Sequence, residues 1–424
     1  MKILHINSYD NGGAAKACLR LHTGLIDAGV DSKVLLRQKS DNSIKNTFEF
    51  DKVIKIQAKI INKVIRISKE LKLVSLNTIE EKEGIALLKQ RKGLEMFSFP
   101  ISDSDIMESI HYKEADIIHL HWVANFLDWK SFFQKNKKPI IWTLHDQNPF
   151  LGIEHYAERY LGIDNNGFPI LRKYTQAEIN SSKKWASFKE KTLKEVKNIT
   201  IVSPSLWLKN ESEQSNLFGK YKNYHIPNGF PTDIFKPLNK FFCREILDLP
   251  QNKKVILFAA DSIENNRKGF VYLKKALEQL PQENQESIYL CAIGAKTGIQ
   301  ENNNLVELGK IQDERLMAMA YAAADVFIVP SLEDNFPNTM IEALLCGTPV
   351  IGFPSGGIID AIKSNVNGYI CPEISVEALK NTIETFLNNI DSFDNTSIAL
   401  LAKEKYTLKK QANAYIDLYK TIMS

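Results

Sequence analysis

Cysteine is scarce in this chain of 424 residues, and the five present (Cys18, Cys243, Cys291, Cys346 and Cys371) are scattered and odd in number. They show no paired spacing of the kind a zinc site needs. Most sit in apolar stretches, where a reduced cysteine behaves as a small buried hydrophobe, so a cytoplasmic compartment is the expectation. Long apolar runs are missing too: no uncharged stretch reaches membrane-spanning length. The opening from Met1 to Gly13 turns polar after a few residues and has no apolar core for a signal peptide. An excess of one charge is also lacking. Fifty-four basic and 50 acidic residues leave a formal charge of +4, too slight for bulk electrostatics to argue for nucleic acid. There is no low-complexity segment and no residue-level repeat.

What is present is the mix of a soluble globular protein, 44% hydrophobic and 25% charged, long enough for two to three domains. Short apolar runs alternate with amphipathic stretches. Strands are expected at Lys2–Ile6, Lys33–Leu36, Asp116–Leu120, Pro139–Leu144, Ile199–Val202 and Tyr224–Ile226. In the second half they are expected at Val255–Ala259, Ile288–Ile293, Leu305–Leu308, Val326–Val329, Pro349–Phe353 and Tyr369–Ile370. Several are apolar on consecutive positions, as in strands covered on both faces. Helical patterns lie between them, including Ala14–Ala28, Phe270–Gln279, Glu314–Ala323 and Val376–Asn388. This alternation predicts parallel sheets with helices on both sides. The Pro- and Gly-dense run from Pro227 to Asp233 divides the chain into two α/β halves.

From Lys52 to Lys72 basic residues recur every three or four positions, lining one helical face. That face is either simply solvated or a patch for an anionic membrane surface.

The most informative segment runs from Pro330 to Val350. It follows a strand and precedes another; Pro337 suits a first helical turn, and Gly347 with Pro349 reads as the helix stop. A loop carrying Glu333 and Asp334 therefore feeds a short helix. Free N–H groups at Asn338, Thr339 and Met340 can receive a diphosphate with the helix dipole behind them. Glu342, about 7 Å further along the axis than Pro337, is placed to reach a ribose hydroxyl, and Asp334 to accept hydrogen bonds from a sugar. An acidic loop capping an ordinary helix is the plainer alternative.

This segment resembles the acidic E-x7-E signature of retaining glycosyltransferases of family 4, with Asp334 in the first slot and Glu342 in the second. Its Asn-Phe-Pro-Asn-Thr stretch is similar to the branch holding colanic-acid and other exopolysaccharide transferases. Further pieces resemble the same family. Asn11-Gly12-Gly13 looks like its glycine-rich acceptor-side loop; it is not the G-x-G-x-x-G fingerprint of nicotinamide enzymes. His145, in Trp142-Thr143-Leu144-His145-Asp146, looks like the cleft histidine near the donor sugar, with a structural histidine held by Asp146 as the competing reading. His119 and His121 make a same-face pair that imitates a metal site without an acidic partner. Lys268 resembles the lysine on the donor diphosphate. Arg267 adds a bidentate phosphate contact, because Ser262 stands where many relatives carry arginine. Gly356 and Gly357 look like another phosphate-side loop. Asp103-Ser104-Asp105 spells the metal triplet of GT-A enzymes, but its setting reads as a helix N-cap.

The resemblance implies a GT-B fold: an acceptor-side Rossmann-like domain (1–229) and a donor domain (230–405), with helix 406–424 packing back on the first. It implies donor contacts from Arg267, Lys268, Glu333, Asp334, Phe336, Pro337, Asn338, Thr339, Glu342, Gly356 and Gly357. His145, Asp334, Lys268 and Glu342 carry the chemistry, and Gly12 and Gly13 the acceptor side. The expected reaction is metal-independent and retaining transfer from a UDP- or GDP-sugar, with no cofactor. The acceptor is a glycan or polyprenyl-linked oligosaccharide in cell-surface polysaccharide synthesis, and the protein lies in the cytoplasm or on the inner face of the membrane. A GT-B nucleotide-sugar epimerase and a catalytically idle glycan-binding protein are the competing classes.

Overall fold

The computed structural model describes residues 1–50, 93–261, 265–294 and 304–424. The basic stretch Lys52–Lys72 and Ser262 lie outside them.

The strands of the first half are β1 (Lys2–Tyr9), β2 (Asp31–Gln38), β3 (Thr47–Glu49), β4 (Ile117–Leu120), β5 (Ile140–Thr143), β6 (Tyr160–Ile163), β7 (Pro169–Leu171), β8 (Ile199–Ser203) and β9 (Lys222–His225). Those of the second half are β10 (Lys254–Ala260), β11 (Ile288–Gly294), β12 (Leu305–Gly309), β13 (Val326–Val329), β14 (Val350–Gly352) and β15 (Gly368–Ile370). Seven form one parallel sheet in the order β3-β2-β1-β4-β5-β8-β9. Six form a second, in the order β12-β11-β10-β13-β14-β15. Each sheet is doubly wound, and the two together are the GT-B architecture.

The consecutive apolar positions are explained by two-sided burial. Leu4, Ile118 and Ile140 feed a core on one face of the first sheet, while their neighbours Ile3, Ile117 and Ile141 feed a core on the other. Alternate residues of a strand point to opposite faces, so both must be apolar when helices cover both. The second sheet carries its own larger core.

Three strands were not expected. β3 is a three-residue edge strand, too short for any period to register. β6 and β7 pair as an antiparallel hairpin that leaves the first sheet and rests on the second half, where Gly167 O accepts from the Val376 N–H at 3.0 Å.

The chain passes between the halves twice, at the 227–233 run and before the last helix, and the two passages are tied together. Phe230 N–H donates to Tyr406 O at 2.9 Å. Gly229 lies so close to the last helix that a Cβ would stand 2.9 Å from Leu408 Cα. That helix (Leu408–Met423) returns to the first half: Ala412, Tyr415 and Tyr419 share a core with Leu21 and Leu25 of the first helix (Gly13–Asp27). Among the described residues no helix is long and apolar enough to cross a membrane.

Candidate active site

The acidic loop leaves β13 at Pro330 and enters the helix Asn338–Leu345, with Pro337 at its N-cap position. Gly347, at φ +81°, ends it, since a side chain there would be strained and would also meet the Asn395 carbonyl. At the helix start the N–H of Met340 is already used by the Pro337 carbonyl, at 3.1 Å. Of the three amides expected to receive a diphosphate, Asn338 and Thr339 therefore carry the case.

Opposite this loop, a single 3-10 turn, Asn266–Lys268, comes after β10 in the chain and is capped by the Asn265 side chain. Gly269 brings the turn against the acidic loop: at φ +70°, a Cβ there would sit 1.7 Å from the Pro330 carbonyl oxygen. Lys268 Nζ reaches Asp334 Oδ2 at 2.7 Å, and Arg267 Nη1 lies 3.3 Å from the same oxygen. Burial alone would raise the Asp334 carboxyl, but Lys268 and Arg267 outweigh it and hold it below its ordinary value.

Arg267 departs from its expected role. Its Nη2 pairs with Glu95 at 2.6 Å, its Nη1 donates to the Glu333 carbonyl at 2.8 Å, and its guanidinium lies 4.0 Å from the centre of the Tyr156 ring. This cation is buried and clamps three segments to one another. Glu95 gains from it: despite burial, its carboxyl is drawn down to about 2 by Arg267. Glu333 faces the first half and accepts from the Glu158 N–H at 2.9 Å; burial pushes its carboxyl up.

Glu342 is also engaged. Its Oε1 lies 2.7 Å from Arg20 Nη2 of the first helix, and its Oε2 accepts from Tyr321 Oη at 3.0 Å. A ribose reaching this carboxylate would share it with these partners. Phe336 packs near the Tyr406 ring inside the core. Pro337 is buried, and Thr339 is half-buried at the helix mouth.

Gly356 and Gly357 pack directly against the acidic loop. A Cβ on either would stand 1.8 Å from a carbonyl oxygen of the acidic loop, that of Asp334 or Asn335, and Gly357 N–H donates to Asp334 O at 2.9 Å. They let one loop back the other.

The two halves meet at the helix mouth. Asn338 Nδ2 donates to Gly13 O at 3.0 Å, and Asn228 Nδ2 donates to Asn338 Oδ1 at 3.2 Å. Gly12, at φ +87°, sets the turn before Gly13. Asn335 Nδ2 donates to the His145 carbonyl at 3.1 Å, which places His145 beside the acidic loop. Burial lowers the His145 imidazole to about 4, against the pull of Asp146. Asp146 does not hold it: that carboxylate bonds His155 and the Trp122 indole, while His145 Nε2 meets His121 Nδ1 at 3.0 Å. His119 bonds Tyr419 and Thr143 inside the sheet. Asp105 of the D-x-D triplet caps the turn Ile106–Glu108.

Several participants were missed. Arg20 carried a signal, as a cation on an otherwise apolar helix face beside Ala17, Leu21 and Gly24. Glu95, Tyr156, Glu158 and Asn335 carried none, because only the folded chain brings their segments to the site.

The sheets and cleft define a GT-B protein. Residues 239–397 match the family model described as glycosyl transferases group 1. The chain is similar to a D-inositol 3-phosphate glycosyltransferase of Xylanimonas cellulosilytica, 32% identical over 34% of this chain and 38% of that one. It is also similar to a glycogen synthase of Mycoplasma mobile, 26% identical over 46% of this chain and 49% of that one. The matches thus span about two-fifths to half of these relatives' length. Among solved structures, sucrose-phosphate synthase of Thermosynechococcus elongatus superposes with a TM-score of 0.66 at 16% identity, covering 100% of this chain and 99% of that one. Anabaena HepE in complex with UDP and glucose superposes with a TM-score of 0.64 at 16% identity, covering 99% of each chain.

Proposed function

We propose that this protein is a retaining glycosyltransferase that moves a sugar from a UDP- or GDP-sugar to a hydroxyl of a glycan or lipid-linked oligosaccharide in cell-surface polysaccharide synthesis. The observation that carries the reading is the Lys268–Asp334 pair at the mouth of the helix Asn338–Leu345, with His145 beside it. When the bond from the sugar carbon to phosphate breaks, negative charge grows on the diphosphate. Lys268 and the amides of Asn338 and Thr339 are placed to take up that charge, while Asp334 accepts from sugar hydroxyls. The acceptor hydroxyl attacks on the face the phosphate leaves, passes its proton to the departing phosphate oxygen as the sugar–phosphate bond breaks, and receives the sugar with retained configuration. No metal enters this scheme. HepE, with the same fold, is described in complex with UDP-glucose, which supports a nucleotide-sugar donor.

Docking of Lys52–Lys72 on an anionic membrane surface extends the proposal. Replacing four of its lysines with glutamine should weaken sedimentation with anionic vesicles, and unchanged binding ends that part.

The central test is a thermal-shift panel of nucleotides and nucleotide sugars, since a ligand that binds the folded state raises Tm. One diphosphate should raise it, and Lys268→Ala should cut donor turnover by about 10²–10³-fold, the loss typical of removing one charge-stabilising group. No shift with any nucleotide, together with full turnover in that variant, sinks the reading.

A further inference from the structure

His145 is the last member of a chain of imidazoles that begins inside the first sheet. His5 lies on β1, His121 follows β4 and His145 follows β5, three adjacent strands in parallel register. His5 Nδ1 and His121 Nε2 are 2.9 Å apart, and His121 Nδ1 and His145 Nε2 are 3.0 Å apart. His121 thus uses both ring nitrogens inside the chain. His5 Nε2 is buried and has no hydrogen-bond partner.

A neutral imidazole has one N–H and one bare nitrogen, so two bonds in a row admit only two arrangements. In one, His145 donates inward through Nε2–H, His121 donates to His5, and the His5 proton ends on the unpartnered Nε2. In the other, His5 donates from Nδ1, His121 donates from Nδ1, and His145 is left with its proton on Nδ1. The first strands an N–H in the interior, and orphaned buried N–H groups are rare in folded proteins. The second leaves a bare nitrogen there, and Cys18 Sγ lies within 4.8 Å of a ring nitrogen of each of His5 and His121. Burial keeps that thiol protonated, so no thiolate there draws a proton onto the rings. It also keeps the rings neutral, with His5 and His121 held well below the ordinary imidazole value.

We propose that His5 and His121 are positioning residues that lock His145 in the Nδ1–H tautomer, so that this side chain offers a hydrogen-bond donor and not a base. Its partner is then an acceptor oxygen, a hydroxyl or a phosphoryl oxygen of the ligand; this last step rests on the function proposed above.

Long-range proton–nitrogen NMR of histidine-labelled protein, with His145 assigned through His145→Gln, reads the tautomer directly and needs no substrate. The expected spectrum has a protonated Nδ1 and a bare Nε2 at His145. In His121→Phe, His145 loses that constraint and its proton moves to Nε2 in a measurable share of molecules. Donor turnover should then fall about tenfold, as for one lost hydrogen bond, with nucleotide affinity unchanged. An Nε2–H tautomer in the unmodified protein overturns the proposal, whether or not a nucleotide sugar is ever turned over. So does a thiolate-to-cobalt absorption band on adding Co²⁺, which would assign His5, Cys18 and His121 to a metal. If His121→Phe fails to fold, the unmodified spectrum and the cobalt titration still decide.

Discussion

Arg20 and Glu342 join the two halves of the molecule: the Arg20 guanidinium, buried between the Phe230 and Phe235 rings, lies 2.7 Å from the Glu342 carboxylate and 2.6 Å from that of Glu314. Its Nε and Nη1 have no hydrogen-bond partner. Removing one member of such a buried pair strands the other's charge, a loss of about 3–5 kcal/mol. Arg20→Met, which strands the buried Glu342 carboxylate, should therefore lower stability by that order in urea titrations, and Glu342→Gln by less, because Glu314 still pairs with Arg20. The double variant should lose clearly less than the sum of the two, because no buried Glu342 carboxylate is left without Arg20. Strict additivity would mean that the pair is not coupled. The Glu342→Gln variant should also bind nucleotide more weakly.

Acid should unfold the protein through its buried histidines. His5, His119, His121 and His145 are all depressed by burial, His145 to about 4. In the unfolded chain they titrate near 6.5. Below that value the unfolded state takes up protons that the folded state refuses. The stability they contribute is thus fully present above pH 6.5 and is lost as pH falls toward 4. Each unmatched proton costs about 1.4 kcal/mol per pH unit. Glu333, raised by burial, acts with the opposite sign and weakens the effect. Tm should fall steeply between pH 6.5 and 5. An unchanged Tm across the acid range would count against four neutral buried rings.

How much of this was legible before folding differs from element to element. The strands with apolar side chains on both faces, such as Val326–Val329, announce themselves by composition, and the helix Asn338–Leu345 by Pro337 ahead of it and Gly347 behind. The hairpin β6–β7 was invisible because much of it is exposed, including Leu161, Ile170 and Leu171, so no burial pattern marks it. At the site, local motifs name Lys268, Asp334 and Glu342 but not their partners. Arg267 reads as a phosphate ligand when only its neighbour Lys268 is in view. Glu95 and Tyr156, more than 100 residues earlier, convert it into a clamp. The glycines at 356 and 357 are ambiguous in the same way, since a loop that approaches backbone and one that approaches phosphate need the same missing side chain.

Metal dependence separates the proposed chemistry from the D-x-D reading. Asp105 accepts from the Met107 N–H at 3.1 Å and lies 3.7 Å from the Lys135 ammonium, so it has structural employment. Transfer measured in EDTA should equal transfer in buffer. Asp103→Asn should turn over donor at the unmodified rate. Inhibition by EDTA that Mn²⁺ restores would favour a metal-held diphosphate and displace Lys268 from its role.

Gly356→Ala tests whether the acidic loop must be backed by a close neighbour. The residue has φ +54°, a left-handed conformation that alanine adopts at a cost of roughly 1–2 kcal/mol. Its Cβ would also meet the Asp334 carbonyl carbon and oxygen at 2.8 and 1.8 Å, and neither is the tip of a flexible side chain. The acidic loop has to move. Asp334 would shift relative to Lys268 on the facing turn, and misplacement by about 1 Å at a reacting centre can cost 10²-fold. The expected result is a stability loss of about 2 kcal/mol or more with a far larger fractional loss of turnover. A variant as stable and active as the unmodified protein would mean that the Gly356 contact with Asp334 is not needed to place the acid.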